Sequence, residues 1–73
     1  MKTTRTNAVV TDRHGNTGNA VLVTRTRAQK PRLGWKVEVD VMVNGVKQAY
    51  GKANTMKQAV AAICEQCKVA IAI

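Results

Sequence analysis

Two cysteines, Cys64 and Cys67, form the pair whose type and spacing come closest to metal or redox chemistry. A structural zinc site normally needs four Cys or His ligands, and the sequence adds only His14 to these two thiols. Redox-active Cys-x-x-Cys thiols are activated at the N-terminus of a helix, whereas this pair lies toward the C-terminal end of a predicted helix. We therefore interpret both cysteines as packing residues and expect no metal and no cofactor. The lack of a disulfide framework fits a reducing cytoplasm.

The residues that could catalyse a reaction are few. The chain contains no serine, one histidine and four carboxylates. Glu38 and Asp40 lie on the exposed face of a predicted strand, Asp12 begins a turn, and His14 lies in a glycine-rich hairpin tip. The stretch at residues 15–18 lacks the glycine spacing and the following helix of a phosphate-binding loop. We therefore predict a protein that is not an enzyme.

Positive charge is the strongest compositional signal. Twelve Lys and Arg against four Asp and Glu give a net charge of +8, which favours an anionic partner such as nucleic acid or an acidic protein surface. A solvated charged face is the alternative. The candidate residues for binding a partner or nucleic acid comprise a cluster within one twelve-residue stretch and two cations elsewhere: Arg25, Arg27, Lys30, Arg32 and Lys36, with Arg5 and Arg13.

The elements that must position these residues form one small domain over residues 1–73. The pattern predicts an α+β fold in which a small antiparallel sheet of three to four strands packs on one C-terminal helix. No apolar run approaches the ~20 residues of a membrane span, so we expect a cytoplasmic protein, and a monomer. The predicted segments are a loose basic arm (1–6), the sheet (7–53), the helix (55–68) and an apolar tail (69–73).

Strict alternation between residues 35 and 44 is the clearest strand signal. It places Trp35 and four valines on a core face, and Asn44-Gly45 then predicts a two-residue type I′ turn. A hairpin of that length sets Tyr50 opposite Val39, so both aromatic residues are assigned to the core and single-strand base stacking is disfavoured. Gln48 fits this register poorly, which indicates a bulge or an edge position.

The second strand and the helix are predicted from similar patterns. Val21 and Val23 share one face of the second strand with Arg25 and Arg27, the two arginines lying beyond the edge of the core. Thr55 and the three residues after it have capping-box spacing, and an apolar stripe that includes Cys67 follows at helical spacing. The tail either completes the core or offers an apolar surface to a partner.

The stretch from Gly34 to Ala59 resembles the three-stranded sheet and single helix of plant AP2 domains and phage integrase arm-binding domains. The resemblance is carried by an aromatic-led strand, an Asn-Gly hairpin and a capped, alanine-rich helix. It implies that the exposed sheet face enters a DNA groove, with Lys36, Glu38, Asp40 and Met42 facing the bases. Two carboxylates at those positions would repel phosphate and depart from the family pattern.

In length, charge and topology the chain is also similar to the small RNA-polymerase-binding transcription regulators of lytic Xanthomonas phages. That resemblance implies a regulator in the host cytoplasm that binds bacterial RNA polymerase, inhibits initiation and promotes antitermination, with DNA or RNA nearby. We take this as the leading prediction. A duplex DNA-binding module of the AP2 or integrase-arm type is the first alternative, and a small inhibitor of another host enzyme is the second.

Overall fold

The structure, a computed structural model, describes residues 2–28 and 34–73. The predicted binding residues Lys30 and Arg32 lie outside these ranges. The described elements are β1 (Lys2–Thr11), β2 (Thr17–Thr26), β3 (Val37–Val43), β4 (Val46–Ala53), α1 (Met56–Cys67) and β5 (Ala70–Ala72). The strands form one antiparallel sheet in the order β4-β3-β2-β1-β5, and the predicted α+β class with one C-terminal helix is confirmed.

The sheet has five strands instead of the predicted three to four, because the C-terminal end of the chain adds β5, and the N-terminal end lengthens β1. Residues 2–6, expected as a loose arm, form the first half of β1, where Lys2 pairs with Thr26 and Thr6 with Leu22. Threonine is abundant there, and β-branched residues favour extended backbone even without an apolar alternation. Residues 70–72 of the expected tail form β5 against β1.

The core lies between α1 and one face of the sheet. As predicted, Val37, Val39 and Val41 are buried, and Ala59 and Ile63 of the helix lie in the same cluster. Val21 and Val23 share a face of β2 with Arg25, as expected, but that face is not the core face, because Leu22 pairs with Val41 and both point to the core. The core side of β2 consists of Ala20, Leu22 and Thr24, and the neighbouring Val21 and Val23 point to the opposite face.

The hairpin between β3 and β4 explains the position of Tyr50. Asn44 and Gly45 have φ angles of 52° and 79°, as the predicted type I′ turn requires. Val41 pairs with Ala49 but Met42 pairs with Lys47, so Gln48 is the extra residue of a β-bulge. The bulge shifts the pairing by one residue, and Tyr50 therefore pairs with Asp40 instead of Val39. The assignment of Tyr50 to the core was wrong for this reason.

Helix α1 begins and ends at side-chain and backbone caps. The Thr55 hydroxyl accepts a hydrogen bond from the Gln58 amide at 3.2 Å, as the capping spacing predicted. At the other end Lys68 adopts a left-handed conformation (φ 57°), which lets its own N–H and that of Val69 donate to the Cys64 carbonyl. Within residues 2–28 and 34–73 there is no helix with the length and apolar character needed to cross a membrane.

The close approach of α1 to β4 generates a stability prediction. A Cβ atom added at the buried Gly51 would lie 2.6 Å from Ile63 Cγ1 and 2.7 Å from the Ala59 carbonyl oxygen. Gly51→Ala should therefore lower the free energy of unfolding by about 1–3 kcal/mol in chemical denaturation, because the helix must move away from the sheet. Gly18→Ala is the matched control, since no atom lies within 4 Å of its added Cβ. Equal stabilities of the two variants would contradict this packing.

Candidate nucleic-acid interface

The sheet face turned away from α1, which we call the open face, carries most of the charged side chains of the sheet. Its residues come from alternate positions of the strands because side chains in a strand alternate between faces. The charged and aromatic members are Arg5, Arg25, Arg27, Trp35, Glu38, Asp40, Lys47, Tyr50 and Lys52. The predicted site residues Arg5, Arg25 and Arg27 thus lie on this face.

Arg25 is the centre of the ion pairs on the open face. Its guanidinium donates to Asp40 through Nη1 at 2.8 Å and through Nη2 at 3.3 Å, and to Glu38 Oε2 through Nε at 3.3 Å. The Asp40 side chain is only 7% exposed, so the salt bridge lies in the floor of the face. The hydrogen bond to Asp40 raises the pKa of Arg25 above its usual value, against the opposing effect of burial. Arg25 therefore contacts both carboxylates, and Arg27 Nη2 at 4.0 Å from Glu38 and Lys47 Nζ at 3.7 Å from Asp40 supply further positive charge beside them.

Glu38 connects the two aromatic residues to this network. The Trp35 indole N–H donates to Glu38 Oε1 at 3.1 Å, and this bond, with Arg25 adding to it against the cost of burial, lowers the pKa of Glu38. Burial raises the pKa of the Tyr50 hydroxyl, and the negative charge of Glu38 contributes in the same direction. Trp35 and Tyr50 both lie half-buried on the open face, so the assignment of Trp35 to the core was also wrong.

Each aromatic ring lies beneath a lysine. Lys52 Nζ is 3.6 Å from the centre of the Trp35 ring, and Lys47 Nζ is 5.4 Å from the centre of the Tyr50 ring. Lys47 also approaches Asp40 Oδ1 at 3.7 Å. Among the residues that the structure describes, the open face has two carboxylates, Glu38 and Asp40. Its cations in the same ranges are Arg5, Arg25, Arg27, Lys47 and Lys52. The face therefore carries an excess of positive charge around two aromatic rings.

The remaining predicted binding residues occupy other places. Arg13 lies exposed in the β1–β2 turn, whereas Arg25 lies eight residues along β2 from its first residue, Thr17. At the rise of a strand the two arginines are therefore roughly 25 Å apart. Lys36 is half-buried, and its carbonyl accepts from the Arg27 amide at 3.0 Å. The candidate residues from the sequence do not include Lys47 and Lys52, which the structure places on the open face. The poor fit of Gln48 was the signal that could have located Lys52, because the bulge shifts its partner to Glu38. Lys47 pairs with Met42 in the regular register as well.

Two cavities accompany the charged region. On the open face a groove of about 910 Å³ has an apolar floor that includes Val21, Val23 and Met42, with Asn7 and Asn19 among its polar residues. A second, apolar cavity of about 320 Å³ lies between the C-terminal half of α1 and the sheet. The groove adjoins the ion-pair network, because Val23 pairs with Asp40 across β2 and β3.

The cysteines lie away from the open face. Both are free thiols, Cys64 half-buried and Cys67 exposed at the wall of the smaller cavity. The expected burial of Cys67 in the apolar stripe was therefore wrong. Among residues 2–28 and 34–73, no group of three or more His, Cys, Asp or Glu side chains is placed to hold a metal ion.

Comparisons of the chain with protein-family models, with curated proteins and with solved structures find no match. The two family resemblances therefore stay predictions.

The indole hydrogen bond makes a prediction about acid stability. The pKa of Glu38 is lowered in the folded protein, so Glu38 contributes stability that is present above its unfolded pKa and is lost as the pH falls through its folded pKa. Trp35→Phe removes the largest cause of that shift. We expect the Glu38 carboxyl resonance, followed by NMR through a pH titration, to titrate at a higher pH in this variant.

Asp12, in the β1–β2 turn, is the internal control: its pKa is lowered chiefly by the backbone N–H of Asn16, which the substitution leaves in place, so it should titrate identically in both proteins. An unchanged Glu38 midpoint in Trp35→Phe would show that the indole N–H does not stabilise the carboxylate.

Proposed function

We propose that the protein is a non-enzymatic nucleic-acid-binding module whose open face contacts the phosphate backbone. The observation that carries the proposal is the capture of Glu38 and Asp40 by Arg25 at 2.8–3.3 Å. It answers the objection that two carboxylates on this face would repel phosphate. With Asp40 in the floor beneath Arg25, the groups that a phosphate meets first are the lysines and Arg27.

The exposure of the side chains also indicates that the cations, and not the carboxylates, would meet a phosphate first. The side chains of Arg27 and Lys47 are 41% and 55% exposed, whereas those of Asp40 and Glu38 are 7% and 20% exposed. Long, exposed cationic side chains above less exposed carboxylates can contact a phosphate backbone without matching a base sequence. Binding of this kind releases counterions, so the affinity should fall steeply as salt rises.

The mixed character of the same surface favours a second candidate, a regulator that binds bacterial RNA polymerase in the host cytoplasm. Val9 and Ile73 are 41% and 71% exposed, and both line the groove next to the charged region. An exposed apolar patch with a charged rim is typical of protein–protein contact sites. A polymerase surface beside nucleic acid would present both kinds of partner, and docking there would alter initiation and termination.

The first candidate predicts which lysines set the salt dependence of binding. Lys52→Gln and Lys47→Gln should each lower the slope of log affinity against log salt by about 0.7–0.9, because each removes one phosphate contact. The measurement is fluorescence anisotropy with a labelled oligonucleotide at several salt concentrations. Lys57→Gln is the matched control, since Lys57 is exposed on α1, on the other side of the sheet. Equal slopes for all three variants would place binding elsewhere.

The two candidates differ in what the immobilised protein retains from a bacterial lysate. Stoichiometric RNA polymerase subunits retained after nuclease treatment, and lost in a Val9→Asp variant, would support the second candidate. Retention of nucleic acid alone, and only when nuclease is omitted, would support the first. Arg13→Gln, at the distant hairpin tip, is the control that should leave either result unchanged.

A further inference from the structure

We infer that the open face takes single-stranded nucleic acid and that its bases stack on Trp35 and Tyr50. The inference rests on the proposed function and names the substrate class of the same site. Both rings lie on the face that carries the cations. Single-strand binders combine a cationic surface with aromatic rings on which successive bases stack, and a duplex keeps its bases stacked on one another inside the helix.

The position of Lys52 indicates a ring face that a base can occupy. Its ammonium lies 3.6 Å above the centre of the Trp35 ring, which is the van der Waals distance at which a flat base would lie on that ring. A base that takes this place displaces the ammonium from the ring face. The lysine stem is flexible enough to turn the charge toward the adjoining phosphate.

Lys47 and Tyr50 repeat the arrangement more loosely. The ammonium is 5.4 Å from the ring centre and is shared with Asp40. Lys47 is 55% exposed, so it too can move from the ring to a phosphate. The face therefore offers two ring surfaces, each with a cation beside it.

Glu38 orients the Trp35 ring. It accepts the Trp35 N–H at Oε1 at 3.1 Å, while Arg25 Nε donates to its other oxygen, Oε2, at 3.3 Å. Rings held in place before binding lose less conformational freedom when a base arrives. Arg25 and Glu38 are therefore positioning residues, and the groups that contact bases are the two rings.

The first test uses the unaltered protein and three labelled probes of equal length: an oligothymidine, a mixed-sequence duplex, and a single-stranded deoxyribose-phosphate chain without bases. Anisotropy gives their affinities and salt slopes. We expect the oligothymidine to bind on the order of tenfold more tightly than the abasic chain, with a similar salt slope, because only the bases differ. It should also bind more tightly than the duplex.

Trp35 is the one tryptophan in the chain, so its fluorescence reports on the site directly. We expect quenching on addition of oligothymidine and much less on addition of the abasic chain. Unchanged tryptophan emission with a bound oligothymidine would overturn stacking on Trp35.

Variants separate stacking from folding. Trp35→Leu and Tyr50→Leu should each weaken oligothymidine binding on the order of tenfold and leave abasic affinity unchanged, whereas Trp35→Phe and Tyr50→Phe should keep most of the affinity. Thermal melts by circular dichroism establish that each variant is folded. If a leucine variant is unfolded, the abasic comparison on the unaltered protein decides the question.

Failure of this inference is distinct from failure of the proposed function. Equal affinities for oligothymidine, duplex and abasic chain, with salt-dependent binding of all three, would overturn base stacking and leave backbone binding in place. Lack of binding to every probe at low salt would overturn both.

Discussion

A partly buried salt bridge between Arg25 and Asp40 is the interaction on which the open face depends. Asp40 has little contact with water, and an isolated carboxylate in that position would be strongly destabilising. Glu38 lies two residues away on the same strand face, about 7 Å along β3, so the two negative charges would also repel each other. Arg25 on the neighbouring strand donates three hydrogen bonds to these carboxylates, which offsets both the burial of Asp40 and the repulsion between the two charges. Both carboxylates of β3 are thereby hydrogen-bonded, and Arg27 and Lys47 add positive charge near Glu38 and Asp40.

The β-bulge at Gln48 decides which side chains share that floor. It turns Tyr50 and Lys52 to the open face and leaves Ala49, Gly51 and Ala53 toward the helix. These small residues allow α1 to approach the sheet so closely that Ile63 and the Ala59 carbonyl lie against Gly51. The regular register would have placed Tyr50 in that narrow space. The close packing of α1 on one face and the position of Tyr50 on the other are therefore two consequences of one extra residue.

The parts of the fold that could be predicted are those specified by local chemistry. The alternation in β3, the Asn44-Gly45 turn and the Thr55 cap each depend on neighbouring residues alone. The side-chain facing of β2 could not be predicted, because Leu22 and Val23 are apolar neighbours and only pairing with β3 decides which of them is buried. β5 likewise forms through pairing with β1, a segment far from it in sequence. Of the candidate site, Arg25 and Arg27 were predicted and the facing of Lys47 follows from the predicted turn, while the facing of Tyr50 and Lys52 depends on the bulge.

Three cations of the open face divide into two kinds according to what holds them. Arg25 has a bidentate contact to a buried carboxylate, and moving it would leave Asp40 without its hydrogen-bonded partner. Lys52 and Lys47 rest on aromatic rings, and cation–π contacts at exposed sites contribute only about 0.5–1 kcal/mol. These lysines can therefore leave their rings at small cost when a stronger anion is offered. The open face is therefore held by hydrogen bonds at Arg25 and adaptable at Lys47 and Lys52. The proposed contact with phosphate would use this combination.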